Sequence, residues 1–364
     1  MGKAVSIIVP TYKEKENIPA LVERIHNSLS KYDYEILIVD DNSRDGSEEL
    51  VQSLSGKYPV RIMVRKNKRG LASAVVDGIS EAKGELIAVM DADLQHPPEV
   101  LPEMLKALEN HDFVMASRYI KGGSPGTWTF SRKVVSFVAN TMALPLASKI
   151  KDRMSGFFAF RRSAVNPASL NPLGWKIGLE ILVRSQFKST TEVPFTFAQR
   201  ARGASKLSRR IIWQYLQQLV RLYLSKFQIL NFMVVGGIGY VINIGLYSLL
   251  TLVPALKTFE FEQVGKSYYL PPFVVSSLVA IVSNYIMNKA WTFKGWKEQR
   301  LGSLRYFLMA LVTLLFDMAF LYLLVEFVNI PPVPAAAIAI LIVFVVRFII
   351  ARNWVWRKAL SKKN

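Results

Sequence analysis

Two hydrophobic rhythms divide the chain. Up to about residue 205, short apolar runs alternate with amphipathic stretches; from about residue 228 the apolar runs lengthen to the roughly 20 residues that a bilayer core requires. The short runs are Val5-Ser6-Ile7-Ile8-Val9-Pro10, Tyr34-Glu35-Ile36-Leu37-Ile38-Val39, Val60–Val64 and Leu86–Met90. Each has the length and nearly continuous apolar character of a strand buried on both faces. Between them, Glu16–Leu29 and residues 71–83 carry helical spacing, with Asn17 as the candidate cap of the first helix. Strand and helix in alternation predict a doubly wound α/β sheet. Ligands of such sheets bind outside the carboxyl ends of the strands. Here those ends read Pro10-Thr11-Tyr12, Asp40-Asp41-Asn42-Ser43 and Asp91-Ala92-Asp93, three polar clusters expected to line one crevice.

The second rhythm predicts an all-α domain of four transmembrane helices, at about 229–253, 271–293, 305–328 and 333–351. Two further helices, 132–150 and 205–227, are apolar along one side and read as interfacial. On the second, Ile211, Ile212, Tyr215, Leu216, Leu219, Leu222 and Tyr223 are set against Arg209, Arg210, Gln214, Gln217 and Arg221. The chain thus divides into 1–204, an interfacial helix 205–227 and a membrane domain 228–364. Inside a bilayer Asp317 and Arg347 are costly unless paired or facing water. Asn243, Asn284 and Asn288 suit interhelical hydrogen bonds, and Gly236-Gly237-Ile238-Gly239 lets helices approach closely.

Composition narrows the chemistry. The absence of cysteine removes disulfides, thiol nucleophiles and thiolate metal sites, and His26, His96 and His111 lack ligand spacing, so zinc chemistry is not expected. The net charge of +19 comes with no nucleic-acid fold signature, so no nucleic-acid partner is expected. Much of that charge lies beside the apolar segments. Lys289, Lys294, Lys297, Arg300 and Arg305 against Glu298 alone place the loop between the second and third segments inside, together with both termini. Trp291, Trp296, Trp354 and Trp356 then form an aromatic belt at the cytoplasmic interface. No secretory leader precedes the first strand, so the α/β domain is expected in the cytosol.

Asp91-Ala92-Asp93 is the strongest chemical signal, because two carboxylates one residue apart at a strand end point the same way. Such a pair either caps a turn or, with Gln95, offers oxygen ligands to Mg²⁺ or Mn²⁺ and leaves positions open for a diphosphate. His96 is expected beside such ligands rather than among them. Asp41, Ser43 and Asp45-Gly46 are expected to cap the following helix.

Val9-Pro10-Thr11-Tyr12-x-Glu14-x-x-Asn17, Val39-Asp40-Asp41-x-Ser43-x-Asp45-Gly46 and Met90-Asp91-Ala92-Asp93-Leu94-Gln95 resemble the family 2 glycosyltransferases of GT-A fold. Arg69-Gly70-Leu71-x-x-Ala74, Ala116-Ser117-Arg118-Tyr119-x-x-Gly122-Gly123, Ser155-Gly156-Phe157 and Arg202-Gly203-x-Ser205-Lys206 narrow the likeness to the polyprenyl-phosphate sugar synthases, dolichol-phosphate mannose synthases foremost. Residues 228–364 are loosely similar to GtrA-like membrane proteins.

The resemblance implies that Pro10, Tyr12, Glu14, Val39, Asp40, Asp91, Ala92, Asp93, Gln95, Arg202 and Lys206 bind the donor nucleotide. It implies that Asp91, Asp93 and Gln95 hold Mg²⁺ or Mn²⁺, that Asp91, Asp93 and Arg118 are catalytic, and that Arg118, Arg132 and Ser136 hold the acceptor phosphate. The implied reaction moves mannose from GDP-mannose to dolichyl phosphate at the membrane, with inversion. UDP-glucose as donor, or flipping of a lipid-linked sugar by the four helices, fits the same residues. A processive polysaccharide synthase fits less well, since Gln199-Arg200-Ala201-Arg202 lacks the tryptophan of Gln-x-x-Arg-Trp.

Overall fold

Strand β1 (Val5–Thr11) is buried along its whole length and pairs in parallel with β2 (Tyr34–Asp40) on one side and β4 (Leu86–Val89) on the other. The computed structural model describes residues 4–198, 209–252, 270–294, 296–298 and 301–357, and the chain forms two units, Met1–Lys226 and Phe227–Asn364. With β3 (Val60–Val64), β5 (Phe113–Ser117), β6 (Phe158–Arg161) and β7 (Thr190–Pro194), the first unit builds a seven-stranded sheet ordered β3-β2-β1-β4-β6-β5-β7. Period-two alternation sends Ile7 and Val9 into one core, against Ile18, Leu21 and Ile25 of α1 (Ile18–Leu29) and Met104 of α4 (Leu101–Ala107). Ile8, with Leu37 and Val39, enters the other core, against Val75 and Ile79 of α3 (Leu71–Glu81). The remaining early helix, α2 (Ser47–Leu54), follows β2.

The structure corrects several sequence expectations in this unit. The sheet is mixed: β6 runs antiparallel to both β4 and β5, and its four residues are too few for a period to register. Asn17 sits at the cap position of α1, but its amide donates to Glu14 Oε2 at 2.7 Å instead of capping. Pro19 in the first turn has no N–H to offer such a cap. Helix α5 (Phe130–Met142) ends well before residue 150, since Pro145 has no N–H to donate to the Thr141 carbonyl. Helix α7 (Arg209–Lys226) buries Gln218, Leu219 and Leu222, while Ile212 lies exposed with Trp213 and Val220. It is fastened to α5 by Tyr215 Oη donating to the Ala139 carbonyl at 2.7 Å and Tyr223 Oη to that of Met142 at 2.6 Å. Helix α6 (Ile177–Arg184) lies before β7.

In the second unit, α8 (Gln228–Leu250), α9 (Leu270–Met287), α10 (Gly302–Glu326) and α11 (Pro332–Ile350) are each long and apolar enough to cross a membrane. Asn243 donates to Ser277 Oγ at 3.1 Å and accepts from Ser276 Oγ at 2.6 Å, tying α8 to α9. A Cβ on Gly236 would come within 2.8 Å of the Phe344 ring, and one on Gly239 would overlap the Asn284 amide, so both glycines serve close helix approach. Asp317 pairs with Arg347, whose Nε also donates to Thr313 Oγ1 at 2.9 Å. The aromatic belt needs one correction. Trp356 is 1% exposed and stacks on Phe293 at 4.2 Å, held there in β9 (Trp356–Arg357), which pairs with β8 (Lys297–Glu298). Trp291 and Trp354 are the exposed pair.

Candidate active site

Strand direction gathers the site. β1, β2 and β4 are parallel, and β5 points the same way as β4 because β6 opposes both. The residues following these four strands, Tyr12, Asp41, Asp91 and Arg118, therefore emerge at one edge of the sheet, where β6 also begins after Ser155-Gly156-Phe157.

The β1–β2 side forms a cavity of about 510 Å³ lined by Tyr12, Lys13, Asn42, Ser43, Arg44, Asp45 and Arg69. Buried Asp40 ties its walls together: its Oδ2 accepts from the Ser43 N–H at 2.8 Å, and Ser43 Oγ accepts from the Lys13 N–H at 2.8 Å. Lys13, Asn42 and Arg44 hold φ of 59°, 55° and 53°, a left-handed conformation that non-glycine residues adopt at some cost and that clusters at ligand sites. The Arg69 guanidinium stands 5.6 Å from the Tyr12 ring centroid, giving the cavity a cationic aromatic lip. Asp41 is not a helix cap. It receives Arg65 Nη1 and the Gly70 N–H, each at 2.7 Å, and so anchors the loop that carries Arg69. Capping falls to Asp45, whose Oδ1 accepts from the Ser47 N–H at 3.1 Å. Of the other expected donor contacts, Pro10 is buried in β1, and Val39 and Ala92 point into the cores, so only their backbones face the crevice.

Asp91 is half exposed, whereas Asp93 is buried and accepts from the Gln95 N–H at 3.1 Å around a left-handed Leu94 with φ of 62°. Gly156 leaves the space Asp91 needs, since a Cβ there would meet its Oδ2 at 3.3 Å. Gln95 donates its side-chain nitrogen to the Ala198 carbonyl at 3.2 Å, leaving its amide oxygen for an ion. Among the described residues no three His, Cys, Asp or Glu side chains can enclose a metal. The carboxylates of Asp91 and Asp93 and the amide oxygen of Gln95 are oxygen donors of the kind Mg²⁺ and Mn²⁺ prefer, so their chemistry fits such an ion. His96 lies behind them as expected: the Asp91 N–H donates to its Nδ1 at 3.0 Å and its ring stacks on Phe157 at 5.2 Å. Burial pushes its imidazole below the ordinary value, against the pull of Asp91 and Asp93.

The β5 side is cationic. Arg118 is buried, and its Nε and Nη2 form a fork on Asp152 at 2.7 Å each; among the described residues Nη1 has no hydrogen-bond partner. Its guanidinium and that of Arg132 lie 4.7 and 4.3 Å from the Trp128 ring centroid, so one indole carries both. Ser136, one helical turn beyond Arg132, bonds Tyr119 Oη at 2.8 Å. Exposed Phe130, Val134, Phe137 and Val138 continue α5 past this cluster as an apolar face. Arg202 and Lys206 lie outside the described residues.

Three site residues escape the sequence reading: Asp152, Trp128 and Lys176. Asp152 stands four residues before Gly156, a motif already recognised, and Trp128 four before Arg132; that spacing is the available signal. Nothing in the sequence marks Lys176, which folding brings here from the start of α6.

Residues 6–167 match the family model "Glycosyl transferase family 2", and residues 231–356 match "GtrA/DPMS, transmembrane domain". The chain is 39% identical over 361 residues to the dolichol-phosphate mannosyltransferase of Pyrococcus furiosus, covering 97% of this chain and 99% of that one. It is 46% identical over 235 residues to that of Saccharomyces cerevisiae, covering 61% and 88%. Among solved structures, glucosyl-3-phosphoglycerate synthase from Mycobacterium tuberculosis, in complex with Mn²⁺ and UDP, aligns with a TM-score of 0.43 at 19% identity over 62% of this chain and 80% of that one, a distant likeness. Similarity that runs from end to end with the archaeal relative makes this chain a member of the dolichol-phosphate mannosyltransferase family, an integral membrane glycosyltransferase of family 2 carrying a GtrA/DPMS membrane domain.

Proposed function

We propose that the chain transfers mannose from GDP-mannose to dolichyl phosphate or a related polyprenyl phosphate, inverting the α-linked donor to a β-linked lipid product. The observation that carries this reading is the division of one crevice into two charge zones. Carboxylates Asp91 and Asp93 stand at the β4 end, and Arg118 and Arg132 at the β5 end beside the exposed apolar face of α5. The sugar and the lipid follow from the relatives, which are dolichol-phosphate mannosyltransferases.

The nucleotide fits the cavity lined by Tyr12 and Arg69, whose wall residue Ser43 is held by Asp40, and the family pattern assigns Glu14, Arg202 and Lys206 to the donor as well. Asp91, Asp93 and Gln95 would hold a Mg²⁺ or Mn²⁺, which when bound would supply positive charge to the departing diphosphate. Arg132, Ser136 and the free Nη1 of Arg118 hold the lipid phosphate. That phosphate is already anionic at neutral pH, so no general base is required and positioning does the work. One of its oxygens forms a bond to the anomeric carbon while the carbon–oxygen bond to the diphosphate breaks on the opposite face, and GDP leaves with the electron pair.

The exposed faces of α5 and α7 lie in the membrane interface, and the catalytic unit and both termini are cytosolic. The chain has no cysteine, so a single cysteine at Ser303 should label only from the cytosolic side and one at Asn329 only from outside. The deciding experiment supplies the full-length protein with labelled GDP-mannose or UDP-glucose, dolichyl phosphate and Mn²⁺, with and without EDTA. A β-linked mannosyl lipid that vanishes with EDTA is expected. An α-linked product, or preference for UDP-glucose, would overturn the reading.

A further inference from the structure

Lys176 sits where Gly174-Trp175-Lys176 turns into α6, and it is fixed at both ends. Its Nζ donates to the Met154 carbonyl at 2.8 Å, and its own carbonyl accepts from buried Gln218 of α7 at 3.1 Å. Yet its charge is poorly matched. Among the described residues it forms no ion pair with a carboxylate, and the charged groups that act on it are Arg118 and Arg132, which repel it, and Asp91 and Asp152, which attract it. Asp152 is already engaged by the Arg118 fork. Burial, followed by Arg118, pushes the ammonium down to about 8. Burying an ammonium on a carbonyl partner is costly, and a bound anion offsets that penalty. A lysine needed only to hold a carbonyl would carry that penalty for one hydrogen bond.

We propose that Lys176 contacts substrate directly, placing its ammonium on an oxygen of the polyprenyl phosphate and offsetting repulsion between that phosphate and the donor diphosphate. This rests on the polyprenyl-phosphate reading of the crevice. Lys176 is suited to the task because the Met154 carbonyl that holds its ammonium lies two residues from Asp152, the partner of Arg118, and two from Gly156, where a Cβ would meet Asp91 Oδ2 at 3.3 Å. Its two free ammonium protons can turn toward an anion while the third stays on Met154. The Gln218 bond also links it to α7, so the lysine is braced by a helix of the interfacial pair.

The test is equilibrium titration of the full-length protein in detergent with farnesyl phosphate, a short polyprenyl phosphate, and separately with GDP and Mn²⁺. Lys176→Met should weaken farnesyl phosphate binding by about 10- to 100-fold, the range of a lost charge-assisted hydrogen bond, and GDP binding by less than about threefold. Lys176→Arg should recover most of the loss. Lys176→Gln keeps a donor for Met154 without the charge, so it should fold like the wild type and bind phosphate like Lys176→Met. Equal phosphate affinity in wild type and both neutral variants would overturn the inference and leave the acceptor reading intact. Wild-type protein that binds no farnesyl phosphate would overturn both.

Discussion

In the proposed reaction the two ends of the crevice meet the same problem, holding phosphate anions, with opposite materials. The donor end is made of strand termini and presents acids: Asp91 and Asp93 follow β4 and Asp40 closes β2. The acceptor end is made of loops and helix starts and presents bases, with Arg118 and Arg132 carried on Trp128 and Lys176 nearby. Acids next to a diphosphate make sense only if a cation comes with the donor, whereas bases can receive a bare phosphate directly. On the proposed reading, the contrast means that positive charge arrives with one substrate and is built into the protein for the other. Each end should then fail in its own way.

The largest break is expected at the donor end. Asp91→Asn or Asp93→Asn keeps shape and removes charge, and transfer should fall by about 10³-fold or more in a lipid-product assay with the fold retained by circular dichroism. Near-normal turnover that resists EDTA would remove the metal from the account. Next comes the acceptor end. Arg132→Ala should lower kcat/KM for lipid phosphate by about 10- to 100-fold while the KM for GDP-mannose moves little, as steady-state kinetics in each substrate will report. Arg118 is a poorer probe. Its removal leaves Asp152, fully buried, as an uncompensated charge worth about 3–5 kcal/mol of stability, so Arg118→Ala should lower the melting temperature as well as activity. A smaller effect belongs to the nucleotide lip: Tyr12→Ala should raise the donor KM by about 5- to 10-fold, the worth of one stacked ring, with lipid KM unchanged.

The smallest effect is on pH. The Lys176 ammonium, pushed down to about 8, is charged at pH 7 and loses its proton as pH rises through 8 to 9. Because bound phosphate favours the charged form, the loss should appear as a few-fold fall in kcat/KM for lipid above pH 8, with kcat flatter. Lys176→Arg, which stays protonated, should lack that alkaline limb. A limb of equal size in the arginine variant would assign it to another group.

The donor end was the legible one. Its residues follow strands whose apolar runs announce themselves, so Tyr12, Asp40, Asp91 and Asp93 could be placed at one sheet edge from periodicity alone. Where the expectation slipped there, as with Asp41, the residue kept its neighbourhood and changed partner: a carboxylate three residues beyond Ile38 binds Arg65 across the loop instead of the next helix. The acceptor end is assembled across long stretches of chain. Arg118, Asp152 and Lys176 come from three elements, and only antiparallel β6 and the start of α6 bring the last two back to Arg118. No local pattern encodes an Arg–Asp pair separated by 34 residues. In the membrane unit the apolar lengths gave the four helices directly, while the burial of Trp356 depended on a two-residue strand pair that leaves no periodic trace.

The claim that the two ends act separately is tested most directly by titrating full-length Asp93→Asn and Arg132→Ala with GDP plus Mn²⁺ and with farnesyl phosphate. Asp93→Asn should lose metal-dependent GDP binding and keep phosphate binding, and Arg132→Ala should do the reverse. Parallel loss of both ligands in both variants would contradict a crevice divided by charge.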